Sequence, residues 1–202
     1  LKEYKHFNAG NVWGKVKKLK LEESVKGTPY LNLEIDCANE TLGKVRTYGR
    51  LWGQKKIDQL RQYCDSDPRE LLLHFRGMFG QYDNEEKGKR FSNYFFFDWN
   101  VATPAINVVR AAFILLGEIT ELQAVDGEGK IGLFLNRVQE DGQVIDEFFE
   151  IWTFEDKTIS SLKVGSLLEA KGCLRISEGD SFYGDSGNEI KPYAMKLRMP
   201  GV

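Results

Sequence analysis

The 202-residue chain has little with which to build a metal site or a disulfide framework. Its three cysteines, Cys37, Cys64 and Cys173, lie far apart with no CxxC pair, and only two histidines, His6 and His74, accompany them. So few and so scattered a set excludes a bridged scaffold and a zinc centre, and no metal is expected. Long apolar runs are also missing. A membrane span needs roughly 20 such residues, whereas the longest here, "AAFILL" at 111–116 and "YFFF" at 94–97, have the length of buried strands. The opening "LKEYKHFNAG" contains no apolar signal core, so the expectation is an intracellular, cytoplasmic protein with no membrane partner. There is no Walker-type glycine loop, no nucleophile elbow and no HExxH helix. No catalytic residue, no cofactor and no enzyme class is therefore assigned.

What is present describes a chain able to bury a core: 42% hydrophobic and 29% charged residues. The net charge of −2 hides a split, however. Up to Arg110 there are 19 Lys and Arg against 14 Asp and Glu, an excess of five positive charges; from Ala111 onward there are 9 against 16, an excess of seven negative ones. Such asymmetry points to one half facing an anionic partner.

Periodicity supplies the architecture. From Asn11 to Leu21, Val12, Gly14 and Val16 share one face, with Trp13, Lys15 and Lys17 on the other, the alternation of a strand. After the turn "KGTP", Leu31, Leu33 and Ile35 alternate with Tyr30, Asn32, Glu34 and Asp36 in a half-buried second strand. A third strand, "KVRTYGRLW", leads to "QKKIDQLRQYCDSDP", where Ile57, Leu60 and Cys64 have helical spacing and Pro68 ends the run. "ELLLHFRGMFG", the polar loop "QYDNEEKGK" and "RFSNYFFFDW" complete five strands with one helix between the third and fourth. The second half shows the same order: "FILLGEITEL", "KIGLFLNRV" and "EFFEIWTF" as strands, "EDKTISSLK" as helix, then "SLLEAKGCLRIS" and "EIKPYAMKLRM".

Five strands with a helix between the third and fourth mark the oligonucleotide-binding (OB) fold. The expectation is thus a mainly all-β chain of two tandem five-stranded OB-fold Greek-key barrels, each with a short helix between strands 3 and 4. Domain boundaries at 1–103 and 104–202 follow from the break at Pro104.

Lys44 to Lys56, "KVRTYGRLWGQKK", carries the most chemistry. Alternation places Lys44, Arg46, Tyr48, Arg50 and Trp52 on one face, opposite Val45, Thr47, Gly49 and Leu51. Cations that neutralise phosphates beside rings that stack on bases suit single strands, because every base exposes a flat face. The other reading packs Tyr48 and Trp52 beneath a neighbouring segment with the charges solvated. Trp13, Lys15 and Lys17 extend the candidate surface to the first strand, Tyr30 widens it from the second, and Tyr82, Lys89 and Arg90 offer an arm from the polar loop. In the second half, Phe148, Trp152 and Phe154 share a face with Glu150 and no cation. That face suits a protein interface, with the first barrel, another copy or a partner.

The run "VRTYGRLWGQKKIDQL", "LLLHFRGMF", "QYDNEEKGK" and "RFSNYFFFDW" resembles the bacterial and phage single-stranded-DNA-binding protein family over about residues 10 to 100. The resemblance implies that Trp52 is a base-stacking aromatic, that Arg46, Tyr48 and Arg50 flank it, and that Gly77 closes the fourth strand. It also implies a non-enzymatic role in DNA replication, recombination or repair, with replication or recombination proteins or further copies of the chain as partners, in a phage or mobile element. Two units in one chain depart from the single barrel common in that family. RNA in place of DNA, and a scaffold that binds only protein, remain open alternatives.

Overall fold

The computed structural model describes residues 9–39, 43–66, 72–84, 88–102, 111–125, 130–139, 142–154, 159–175 and 191–199. The first half contains β1 (Ala9–Glu23), β2 (Pro29–Asn39), β3 (Gly43–Trp52), α1 (Gln54–Ser66), β4 (Leu73–Asn84) and β5 (Lys89–Val101). The second contains β6 (Ala111–Val125), β7 (Lys130–Val138), β8 (Val144–Phe154), a 3-10 turn at Ile159–Ser161, β9 (Leu167–Arg175) and β10 (Lys191–Arg198). Strand positions follow the alternation in the sequence. Leu31, Leu33 and Ile35 are fully buried in β2, and Val12 and Val16 are buried in β1.

The expectation of two barrels with a helix each is corrected by this arrangement. All ten strands belong to one sheet in the order β2-β3-β5-β4-β1-β6-β7-β8-β10-β9, with further pairings of β1 with β2 and of β6 with β9. The join is the antiparallel ladder from Ala9↔Ile114 to Val12↔Ala111. An edge strand presents unpaired N–H and C=O groups, and here β1 and β6 satisfy each other's. Nor is there a second α-helix among the described residues. The segment expected to form one contributes only the 3-10 turn at Ile159–Ser161, and residues 155–158 lie outside the described part. Ile159 and Leu162 alone give one turn of apolar spacing, with two serines of weak helix propensity between them. In α1, by contrast, Ile57, Leu60 and Cys64 supply an apolar stripe across 13 residues.

Besides the ladder to β6, β1 serves two within its own half. Ala9–Gly14 pair with β4, whereas Lys15–Glu23 pair with β2, and the register slips between Val16 and Lys18. A bulge of this kind bends a strand and strengthens its twist. Gly14 sits where β1 crosses β2: an added Cβ would lie 2.4 Å from the Ile35 side chain and 2.7 Å from the Asp36 carbonyl oxygen. Only glycine fits so close a crossing.

One apolar cluster runs through both halves, from Val12 and Phe75 to Phe113, Phe149 and Leu168. Phe79 of β4 is its bridge. Its ring stacks on Phe113 with centroids 4.5 Å apart and meets Phe149 at 5.7 Å. Beside it, the Gln81 amide donates to the Glu150 carbonyl oxygen and accepts from the Glu150 N–H, both at 2.7 Å. Phe79→Ala should therefore cost about 3 to 5 kcal/mol, the usual cost of emptying a buried Phe site, and should lower both halves together. Denaturant unfolding followed by tryptophan emission and far-UV circular dichroism checks this; a loss confined to one of two separate transitions contradicts it.

Candidate nucleic-acid interface

Strand register defines one outward face on β1, β2 and β3. Directly opposed residues share a side of the sheet, which gives the rows Glu22–Tyr30–Trp52, Lys20–Asn32–Arg50, Lys18–Glu34–Tyr48 and Lys15–Asp36–Arg46. Thr47 and Leu51 of β3 point inward and are fully buried. The strand therefore splits its cations and rings from its core residues.

The rows differ in chemistry. At the Trp52 end, the Tyr30 and Trp52 rings lie 4.8 Å apart, and the Arg50 guanidinium sits 5.1 Å from the Tyr30 ring and 5.3 Å from the Tyr82 ring. Arg50 Nη2 also donates to the Tyr82 hydroxyl at 2.9 Å, and Tyr82 stacks on Phe91 across the β4–β5 hairpin. Rings and one cation thus alternate from Trp52 through Tyr30, Arg50 and Tyr82 to Phe91. Cation–π contact on two faces holds the guanidinium in place. Among the described residues no carboxylate pairs with it.

Tyr30 itself is buried, and its hydroxyl donates to Glu22 Oε2 at 3.0 Å, an oxygen that also accepts from Asn32 Nδ2. Burial raises its pKa, Arg50 opposes that, and the bond to Glu22 adds to the rise. Tyr30 is thus a neutral support beneath Arg50. Trp52, Tyr82 and Phe91 are half-buried and keep part of their surface in solvent.

At the other end, charge is consumed internally. Glu34 is 1% exposed and pairs with Lys18 at 3.5 Å and with Arg46 Nε at 3.1 Å. Arg46 reaches Asp36 at 3.3 Å as well. Burial would lower the Arg46 pKa, but the Asp36 hydrogen bond and the Glu34 charge hold it above the ordinary arginine value. Tyr48, opposite Glu34, is only 8% exposed. It offers no open ring face. Lys44 lies in β3, and Lys89 and Arg90 in β5, but their side chains fall outside the described residues.

Lys15 and Lys17 are exposed on β1. Trp13 is half-buried and stacks on His74, with centroids 4.0 Å apart and planes 7° from parallel. It lies farther along the same sheet, on β1, β4 and β5, where Lys56 of α1 and Arg76 both pair with Asp98. The Asp98 pKa is lowered, first by the hydrogen bond from Lys56.

On β8, Phe148 is exposed and stacks on Phe134, Trp152 is half-buried opposite Gly132, and the Phe154 side chain lies outside the described residues. Arg137 beside this face is paired with Glu147.

The sequence reading missed Phe91, Phe95 and Phe97. Alternation within β5 itself carries the signal, since Tyr94 and Phe96 are fully buried while Phe97 is exposed. Among the described residues no group of three or more His, Cys, Asp or Glu could hold a metal ion, and no helix is long and apolar enough to cross a membrane.

No protein-family model matches the chain, and no curated protein sequence matches it. Among solved structures, the wild-type single-stranded DNA binding protein from Thermus aquaticus superposes with a TM-score of 0.62 and 16% identity, covering 98% of this chain and 95% of that one. A deletion mutant of the same protein gives 0.61 and 17%, covering 96% and 94%. The chain shares its fold with that protein. Its strand topology is therefore OB-like along nearly the whole length, with identity too low to transfer individual residues.

His74 provides a pH test of the Trp13 patch. Burial lowers its pKa below the ordinary 6.5, Arg76 lowers it further, and Asp98 partly opposes. A depressed folded-state pKa means that the unfolded chain binds the proton more readily, so the contribution is intact above about pH 6.5 and lost as pH falls through the folded value. Wild type should thus lose more melting temperature between pH 7 and 5 than His74→Phe, which keeps a ring against Trp13 and cannot titrate. Equal slopes in a thermal melt series contradict the assignment.

Proposed function

We propose that the chain binds single-stranded DNA without catalysing a reaction, through the outward face of its first half, residues 1–103. One observation carries the reading: Arg50 is held between Tyr30 and Tyr82 beside Trp52, with no carboxylate partner among the described residues. An ordered guanidinium within a row of rings combines phosphate attraction with base stacking, the two contributions that non-specific single-strand binders use. The fold shared with the Thermus aquaticus single-stranded DNA binding protein supports it. Exposed Lys15 and Lys17 would add phosphate contacts, and so would Lys44, Lys89 and Arg90, whereas Arg46 is engaged with Glu34 and Asp36.

The second half, residues 104–202, has the acidic balance and an aromatic strand face at Phe148 and Trp152, the chemistry of a protein contact. Its role in this reading is assembly, either with further copies of the chain or with proteins of replication or recombination. Coating or protecting single strands in those processes is the corresponding biological task.

Titration with oligo-dT, followed by tryptophan emission at several salt concentrations, tests the proposal. Trp52→Ala should lose roughly 1 to 3 kcal/mol, the worth of one stacked base, and Arg50→Glu should weaken binding further at low salt. Tighter binding of an RNA oligomer of matched sequence would reassign the ligand. No binding at low salt, where attraction is least screened, would leave the protein scaffold as the surviving reading.

A further inference from the structure

We infer that Phe97 is a second stacking position for a single-stranded nucleic acid, and that the bound strand passes from Trp52 on β3 across β5 toward β4. The inference deepens the proposed function and rests on it.

The position of Phe97 follows from register. β5 pairs with β3 in parallel, Gly49 with Tyr94, Arg50 with Phe95 and Leu51 with Phe96. One further step along both strands brings Phe97 level with Trp52. Its openness follows from alternation with the buried Phe96, and a bulge adds a charged neighbour. β4 pairs Gly77 with Phe96 but Arg76 with Asp98, leaving Phe97 as the extra residue of β5. Such an insertion breaks the two-residue alternation and re-aims a side chain, here Asp98, which shares the outward face with Phe97 instead of turning to the opposite one. Gly77 lets β4 approach β5 closely at this point: an added Cβ would lie 2.0 Å from the Phe95 carbonyl oxygen.

The surroundings favour an anion with a flat apolar part. Phe97 is 60% exposed, the most exposed aromatic ring among the described residues, and Met78 nearby on the same pair of strands is 51% exposed. Lys56 and Arg76 both reach Asp98, leaving a net positive charge beside the ring. A bare ring next to surplus positive charge, continuous with Trp52, matches the alternation of base and phosphate along a single strand. A protein partner could also cover the ring, but a single strand is the ligand that follows the row from Trp52.

The test uses the full chain with Phe97→Ala and Phe97→Trp, oligo-dT of graded length, and sedimentation of the free proteins. Phe97→Ala should weaken long oligo-dT about tenfold, the loss of one stacked base, while the shortest oligomers that still require Trp52 bind nearly as to wild type. Phe97→Trp should retain affinity, and its added emission should be quenched by oligo-dT. If Trp52→Ala weakens binding but Phe97→Ala binds every length as wild type does, this inference fails and the proposed function stands. If wild type binds no oligo-dT at all, the proposed function fails first and this one with it. Altered sedimentation of Phe97→Ala with unchanged affinity would assign the ring to self-association and overturn the inference.

Discussion

The whole arrangement depends on how β1 divides its backbone hydrogen bonds. Its first residues lie between β4 and β6 and join the two halves, and the remainder pairs with β2 from Lys15 on, with a bulge after Val16. A strand's pairing capacity is limited to one neighbour on each side; the change of partner falls between Gly14 and Lys15, and the bulge after Val16 then fixes the alignment of the rows beyond it. That point also sets the register of β2, and through β2 the register of β3. The row of Glu22, Tyr30 and Trp52 exists because β1 arrives in that alignment. A slip of one residue would exchange the core and solvent faces of all three strands.

Given that register, electrostatics separate residues that look alike in the sequence. Arg46 and Arg50 are two steps apart on the same face of β3. Arg46 compensates Glu34, a carboxylate withdrawn from solvent, together with Lys18. An unpaired buried carboxylate would be costly, so this arginine is bound to a structural duty. Arg50 instead lies between two tyrosine rings, one of them fixed by its bond to Glu22. The acidic residues near the face thus do more than repel phosphate: Glu34 occupies one cation, and Glu22 orders the ring beneath another.

Much of this was legible in the sequence wherever one face of a strand is buried and the other is not. Leu31, Leu33 and Ile35, and the split of β3 around Thr47 and Leu51, follow from period-two alternation. The ladder between β1 and β6 was not legible, because backbone hydrogen bonds leave no side-chain signature. Burial of Tyr48 and Glu34 comes from tertiary packing that local pattern cannot report. Phe97 was missed because "YFFF" resembles a uniformly buried strand, whereas Tyr94 and Phe96 face the core and alternation turns Phe97 out. The second helix was over-read from two apolar positions, Ile159 and Leu162, that a single 3-10 turn satisfies.

The central claim is that binding runs through the ordered Arg50 and not through the internally paired Arg46. The most direct measurement compares the salt dependence of oligo-dT affinity for wild type, Arg50→Gln and Arg46→Gln, each shown to be folded. For single strands the logarithmic slope is about −0.7 per phosphate contact, so Arg50→Gln should flatten it by about that amount while Arg46→Gln leaves it unchanged. Equal flattening by both, or flattening by Arg46→Gln alone, would contradict the account.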